Sequence, residues 1–422
     1  MSKKSLNLEK VSLESVCHLI TDGKHGDCKN EEGSGYYFLS AKDVRNGELQ
    51  YEDARQITKD DFIQTHKRTQ LEPLDILISN SGTIGRMAIA KDSELTRRTT
   101  FQKSVAILKP IKQRVYPRWL FYYLQSVKDD LINTAGGTAQ VNLLLRDLRA
   151  FKIKIPPFST QRKIAAILSA YDDLIENNMR RIKILEEMVQ ALYREWFVNF
   201  RFPGHEQMQM VHSSLGLIPE GWEVKRLGSV ATINTNTLKG SVAPAKINYI
   251  DIASVSTGQI DKIEAIAFEN APSRARRIVR HGDIIWSTVR PNRRSYALIL
   301  DPIPNLIVST GFAVISAIEV PFTYLYYALT SDSFVDYLTN HATGAAYPAV
   351  NSDDFRQADI LSPSSFLLER FHDFAAPILD QKQNLQTKNT NLRRTRDLLL
   401  PRLISGELDV ADLDIVTPEG TA

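Results

Sequence analysis

Side chains able to grip or read a polyanion are concentrated in a few short stretches. Arg274, Arg276, Arg277, Arg280, Arg290, Arg293 and Arg294 fall within 21 residues that contain one acid, Asp283. The run STVRPNRRS (287–295) sets Thr288, Arg290, Asn292, Arg293 and Arg294 around Pro291, a turn former. Upstream, SNSGTIGR (79–86) supplies Ser79, Asn80, Ser81, Thr83 and Arg86, and TRRTTFQKS (96–104) adds Arg97, Arg98, Thr100, Gln102 and Lys103. An arginine fork matches guanine, an Asn or Gln amide matches adenine, and hydroxyls and backbone amides hold phosphates. The combination points to nucleic-acid binding. Arg290, Asn292, Arg293 and Arg294 are the predicted base readers of their stretch, and Arg274, Arg276 and Arg277 the predicted phosphate clamps.

Catalytic patterns are missing. There is no glycine-rich phosphate loop and no dinucleotide fingerprint. The IPPF run (155–158) is like the Asn/Asp-Pro-Pro-aromatic motif of adenine-amino methyltransferases, but Ile155 cannot accept a hydrogen bond from an amino group. In PEGWEVK (219–225), Glu220 and Glu223 are too close for the usual nuclease metal hairpin. Cys17, His18, His25 and Cys28 lack the paired spacing of a zinc tetrad, and the eight histidines form no nucleophile–base pattern. No metal and no catalytic residue is expected.

The 422 residues suit two or three domains, and 43% apolar with 24% charged residues excludes a disordered or fibrous chain. The net charge is only +3, but residues 406–422 hold five acids and no Lys or Arg, leaving about +8 on the first 405. With two cysteines and no apolar leader, the sequence predicts a reducing, cytoplasmic compartment. The most apolar uncharged stretch, 302–318, is interrupted by Pro304, Asn305, Ser309 and Thr310 and is short for a membrane span.

These stretches recur because the chain is written twice. PLDILISNSG (73–82) aligns with HGDIIWSTVR (281–290), Asp75 against Asp283, and YPRWLFYYLQS (116–126) with VPFTYLYYALT (320–330). GGTAQVN (136–142) aligns with TGAAYPAVN (343–351), so Thr138 and Gln140 of one loop and Thr343 and Tyr347 of the other join the candidate contacts. From Asp147 and Asp354 onward the offset holds at 207.

Each copy passes from a strand-and-turn-rich part into one long helix. The first follows Pro156-Pro157, with Ser159 or Thr160 as N-cap, and stops before Pro203-Gly204. Its seam is Ile164, Leu168, Tyr171, Ile175, Asn178, Ile182, Leu185, Val189, Leu192 and Trp196, spaced 4,3,4,3 throughout. Adding 207 gives Phe371, Ala375, Ile378, Lys382, Leu385, Asn389, Leu392, Arg396, Leu399 and Leu403, with Pro401 expected to end or kink this helix and Gly406 to mark its exit. A heptad stripe of this length requires a helical partner, so the helices are predicted to pair. Antiparallel pairing would set two globular modules at the ends of a rod, with Ile164 to Trp196 spanning roughly 50 Å at about 1.5 Å per residue.

Several motifs in order resemble the specificity subunit of type I restriction-modification enzymes over nearly the whole chain. LDILISNSGTIG and GDIIWS resemble the family's strand-and-turn element, GGTAQVN and TGAAYPAVN its polar loop, and IPPFSTQRKIAAIL its helix entry. LGLIPEGWEVKRLGSV (215–230) resembles the usual start of a second target-recognition domain and LLPRLISGEL (399–408) the family's usual chain end. The second helix entry, SSFLLERFHDF, departs from the Gln-Arg-Lys-Ile pattern. The resemblance implies an α+β chain: target-recognition domain 1 at 1–157, a central spacer helix at 158–203, a linker and target-recognition domain 2 at 204–364, a distal spacer helix at 365–405 and an acidic tail at 406–422. It further implies a non-catalytic reader of a bipartite double-stranded DNA sequence. Two methyltransferase subunits would dock near the helices, with optional restriction-translocase subunits, and S-adenosylmethionine and ATP with Mg would bind those partners. The competing expectations are a stand-alone two-headed DNA-binding protein and a coiled-coil adaptor.

Overall fold

The computed structural model describes residues 8–134, 142–239 and 243–417. The chain divides into two compact units, Met1–Asn177 with Asn389–Ala422, and Asn178–Lys388.

In unit 1, β1 (Glu9–Ser12), β2 (Cys17–Asp22), β3 (Ile76–Ser79), β4 (Met87–Ile89), β5 (Val105–Pro110) and β6 (Lys152–Ile155) form the scaffold. The antiparallel sheet runs β2-β5-β3-β4. Strand β3 is buried at every position, as a continuous apolar run in a sheet covered on both faces should be. A separate ladder pairs β1 with β6, Glu9 opposite Ile155. Leu13, Val16, Ile78, Leu108, Trp119, Leu148 and Ile153 form the core against the helix side chains Ile164 and Leu168.

Unit 2 repeats this plan with β7 (Glu223–Arg226), β8 (Ala231–Ile233), β9 (Ile284–Ser287), β10 (Tyr296–Leu298), β11 (Phe312–Ala317) and β12 (Asp359–Ser362). Its sheet order is β8-β11-β9-β10, and β7 pairs with β12. Leu227, Val230, Trp286, Ile315, Phe355 and Ile360 build the core against Phe371 and Ala375.

The long helices are Phe158–Tyr193 and Ser365–Ile404. In unit 1 the beginning of the first meets the end of the second, where the Asn389 amide donates to the Ile175 carbonyl at 3.4 Å and Arg396 pairs with Asp172. In unit 2, Lys382 pairs with Glu186 at 2.8 Å, and the Tyr193 and Phe371 rings lie 6.1 Å apart. Both sets of contacts are antiparallel, and every predicted seam position is buried or half-buried.

Three local expectations require correction. Ser159 and Thr160 do not cap the first helix, since it already begins at Phe158. The buried Gln161 serves that turn instead: its amide donates to the Pro156 carbonyl at 2.9 Å and its oxygen accepts the Tyr116 N–H at 2.8 Å. The first regular helix ends at Tyr193, followed by a wider turn at Arg194–Val198. Pro401 does not end the second helix; its ring is exposed and its carbonyl accepts the Ser405 N–H at 2.9 Å, so the helix reaches Ile404 before Gly406 turns left-handed at φ 77°.

Candidate nucleic-acid interface

Both units build the same frame at the exit of the central strand. The strand is entered through a tight turn closed by a buried acid. Asp75 accepts the Glu72 N–H at 2.8 Å and Asp283 accepts the Arg280 N–H at 2.7 Å. Burial raises both carboxyl pKa values, opposed at Asp75 by Lys109, 2.6 Å away, and at Asp283 by the Ser316 hydroxyl, also 2.6 Å away. Lys109 and Ser316 occupy the same place in β5 and β11. At the strand's other end, Leu143 donates its N–H to the Asn80 carbonyl at 2.9 Å, and Val350 donates to Thr288 at the same distance. The chain leading into the next short helix is thereby clamped onto the turn after the strand in each unit.

In unit 2 the turn is held by unusual backbone. Arg290 and Arg294 are left-handed, at φ 52° and 53°, around a single helical turn at Pro291–Arg293. The Arg290 N–H donates to the Pro348 carbonyl at 2.7 Å, while residues 343 and 349 exchange two backbone bonds of 2.9 Å. The Arg290 guanidinium donates to the Ala346 carbonyl at 3.1 Å and lies 4.7 Å from the centre of the Tyr347 ring, which is 70% exposed. Asn292, Arg293 and Thr343 are exposed beside them, giving a convergent patch of amide, guanidinium, hydroxyl and aromatic groups.

Other predicted contacts already have partners. Thr288 gives its hydroxyl to the Gly311 carbonyl at 2.9 Å, and Arg294 pairs with Asp332 at 2.5 Å. Arg274 pairs with Asp251 at 3.2 Å, and Arg276 donates to the Ala275 carbonyl at 2.7 Å while lying 5.2 Å from the Phe268 ring centre. Arg277 is half-buried: its Nη1 donates to the Asn234 carbonyl and the Thr237 hydroxyl, each at 3.4 Å, its Nε is sealed from solvent without a partner of its own, and desolvation lowers its pKa. Of the three predicted phosphate clamps, Arg276 and Arg277 lie along β-structure (275–278) and are partly covered, and Arg274 is exposed and ion-paired.

Unit 1 yields a sharper correction. Ser79 is buried, donates to the Thr83 carbonyl at 2.5 Å and accepts the Arg86 N–H at 2.8 Å, so it shapes the turn and faces no ligand. Asn80 is buried through its side chain, and Thr100 is buried against Thr69, 3.1 Å away. Ser81 is half-buried and bridges Asn142, Thr83 is exposed, and the left-handed Gly82 and Gly85 carry the bend at φ 74° and 81°. Arg86 donates to the Ala41 carbonyl at 3.3 Å. Arg97 pairs with Asp92 and Arg98 with Glu94, whereas Gln102 is half-buried and Lys103 exposed. Thr138 and Gln140 lie outside the described residues. Among the described residues, no group of His, Cys, Asp and Glu could hold a metal ion.

Arg86 faces a cleft of about 610 Å³ that sequence reasoning did not find. Arg45 and Lys128 line it with Arg86, Gln125 and Asp397, bringing together residues from segments with no common motif.

The family model for the type I restriction modification DNA specificity domain matches residues 6–187. The MjaIX specificity subunit of Methanocaldococcus jannaschii is 27% identical over 352 residues, covering 80% of this chain and 78% of its own. The chain is therefore similar to type I restriction specificity subunits over most of its length. The HindI specificity subunit of Haemophilus influenzae is 22% identical, with 72% of this chain and 80% of the relative covered. A type I S subunit from M. genitalium shares the fold, with a TM-score of 0.61 at 16% identity, covering 96% of this chain and 97% of that one. This chain therefore shares its α+β fold with two long helices with that S subunit. No helix among its described residues is long and apolar enough to cross a membrane.

Proposed function

We propose that this chain is the DNA reader of a type I restriction-modification complex, each unit reading one half of a bipartite double-stranded target. The observation that carries this is the matched frame in the two units: a buried acid, a turn after the central strand, and a clamped segment bonded to it at 2.9 Å. Equal frames with different turn residues, Ser-Gly-Thr in one and Arg-Pro-Asn-Arg in the other, suit two sites of one reading mode and unlike sequences. Arg290, Asn292, Arg293, Thr343 and Tyr347 are the reading residues of unit 2, and Ser81, Thr83, Arg86 and Lys103 those of unit 1.

In this reading the long helices set the spacer and receive two methyltransferase subunits. Leu174, Ile184, Met188 and Leu398 supply exposed apolar surface on them. S-adenosylmethionine, ATP and Mg belong to the methyltransferase and restriction-translocase subunits, and the complex works in the cytoplasm. The test is to express the chain with its partner subunits and map genomic methylation. A bipartite motif with a fixed spacer is expected, and one half should change when the 287–294 turn is exchanged; a continuous motif, or one unaffected by that exchange, would refute the assignment.

A further inference from the structure

We propose that the two long helices carry a charge code that pairs each with the other inside one chain and discriminates against pairing with its own kind on a second copy. A chain with an internal repeat faces this choice because its two helices present similar seams. Ile164 matches Phe371, Leu168 matches Ala375, Leu185 matches Leu392, and Leu192 matches Leu399, all at the offset of 207. Apolar packing alone discriminates weakly between the helices.

The charged seam residues differ. In unit 1, Asp172 of the first helix receives Arg396 of the second, and the Tyr122 hydroxyl donates to its other oxygen at 2.5 Å. In unit 2, Glu186 of the first helix receives Lys382 of the second at 2.8 Å, with the Lys382 side chain 10% exposed. Both acids belong to the first helix and both cations to the second. Shifted by 207, Arg396 falls on Val189 and Lys382 on Ile175, while Asp172 falls on Leu379 and Glu186 on Arg393. A second copy of the first helix would therefore bring Val189 against Asp172 and Ile175 against Glu186, leaving two half-buried acids without a cation. A second copy of the second helix would bring Leu379 against Arg396 and Arg393 against Lys382, a like-charge contact. Withdrawing the partner from a half-buried charge is unfavourable, and like charges facing the nearly buried Lys382 disfavour a pairing. Exchange of matching elements between copies, the usual hazard for such a chain, is opposed by four side chains.

The test uses the full chain. One variant carries Asp172→Lys and Glu186→Lys, making both helices cationic at these layers; a second carries Lys382→Glu and Arg396→Glu, making both acidic. The parent and a variant with all four exchanges are expected to be monomers by light scattering. Each half-exchanged variant alone should lose the cooperative monomer, whereas refolding the two together should give a 1:1 complex by native mass spectrometry, about twice the 47.7 kDa chain mass. Half-exchanged variants that remain monomers with the parent's Tm would overturn the code. So would a mixture that forms no 1:1 complex, even if each variant alone fails to fold.

Discussion

Lys109 Nζ lies 2.6 Å from Asp75 Oδ2, and both side chains are almost completely removed from solvent. The ammonium also donates to the Gln70 carbonyl at 2.5 Å, tying β5 to the segment that leads into the central strand. Lys109→Met should therefore destabilise unit 1 by about 3–5 kcal/mol by leaving a buried acid uncompensated. The double variant Asp75→Asn/Lys109→Met should recover a large part of that loss, measured as a double-mutant cycle in denaturant unfolding. An additive cycle would show that the two groups do not depend on one another.

Asp283 has a hydroxyl where Asp75 has an ammonium, and the pH response follows from that difference. Burial raises its carboxyl pKa, so the folded chain binds this proton more tightly than the unfolded chain. The contribution is fully present below the unfolded value of about 3.9 and is lost as pH rises through the higher folded value. Relative to Asp283→Asn, the parent should lose stability as pH rises from about 4 to 7. Parallel urea titrations across that range give the sign directly; the parent gaining on the variant as pH rises would contradict it.

Arg290 and Arg276 should behave differently toward DNA. Arg290→Ala removes a guanidinium stacked on Tyr347 and should cost about 1–3 kcal/mol while relaxing one position of one half-site. Arg276→Ala should weaken all sequences alike and lower the salt slope by about one. Binding to cognate and singly substituted duplexes across a salt series separates these outcomes. Uniform weakening by both variants would remove Arg290 from base reading.

The chain alone should transfer no methyl group. Purified protein with labelled S-adenosylmethionine and duplex DNA is expected to leave the DNA unlabelled, and adding methyltransferase subunits should start transfer. Label incorporated by the chain free of partners would place a methyltransferase within it.

The repeat, the two long helices and their seams were legible in the sequence because period and spacing are linear properties. The turns at 79–86 and 287–295 were legible as positions, but the duties of their side chains were not. Ser79, Thr100 and Thr288 look like surface hydroxyls by type, yet each satisfies a backbone or side-chain group inside its own unit. Arg274 finds Asp251 23 positions away, and Arg294 finds Asp332 38 away, distances at which no local pattern announces a partner. Gln161 was readable as part of a motif, while its capping role depends on the Tyr116 N–H, which only the folded chain brings near. Its repeat mate is Leu368, so the departure seen at the second helix entry replaces a hydrogen-bonded start with an apolar one.

Leu403 and Val410 sit in the core of unit 1, and Lys163 donates to the carbonyls of Ala411 and Leu413 at 2.6 and 2.8 Å, across 248 and 250 positions of sequence. On the ribosome, at roughly 5–20 residues per second, Lys163 waits roughly 12–50 s for these acceptors. During that interval Ile164 and Leu168 lack part of their native cover, while the whole of unit 2 is being synthesised. Completion of the earlier-made unit is thus timed by the later-made part of the chain, and a nascent chain stalled before residue 403 presents an open apolar surface to chaperones and proteases.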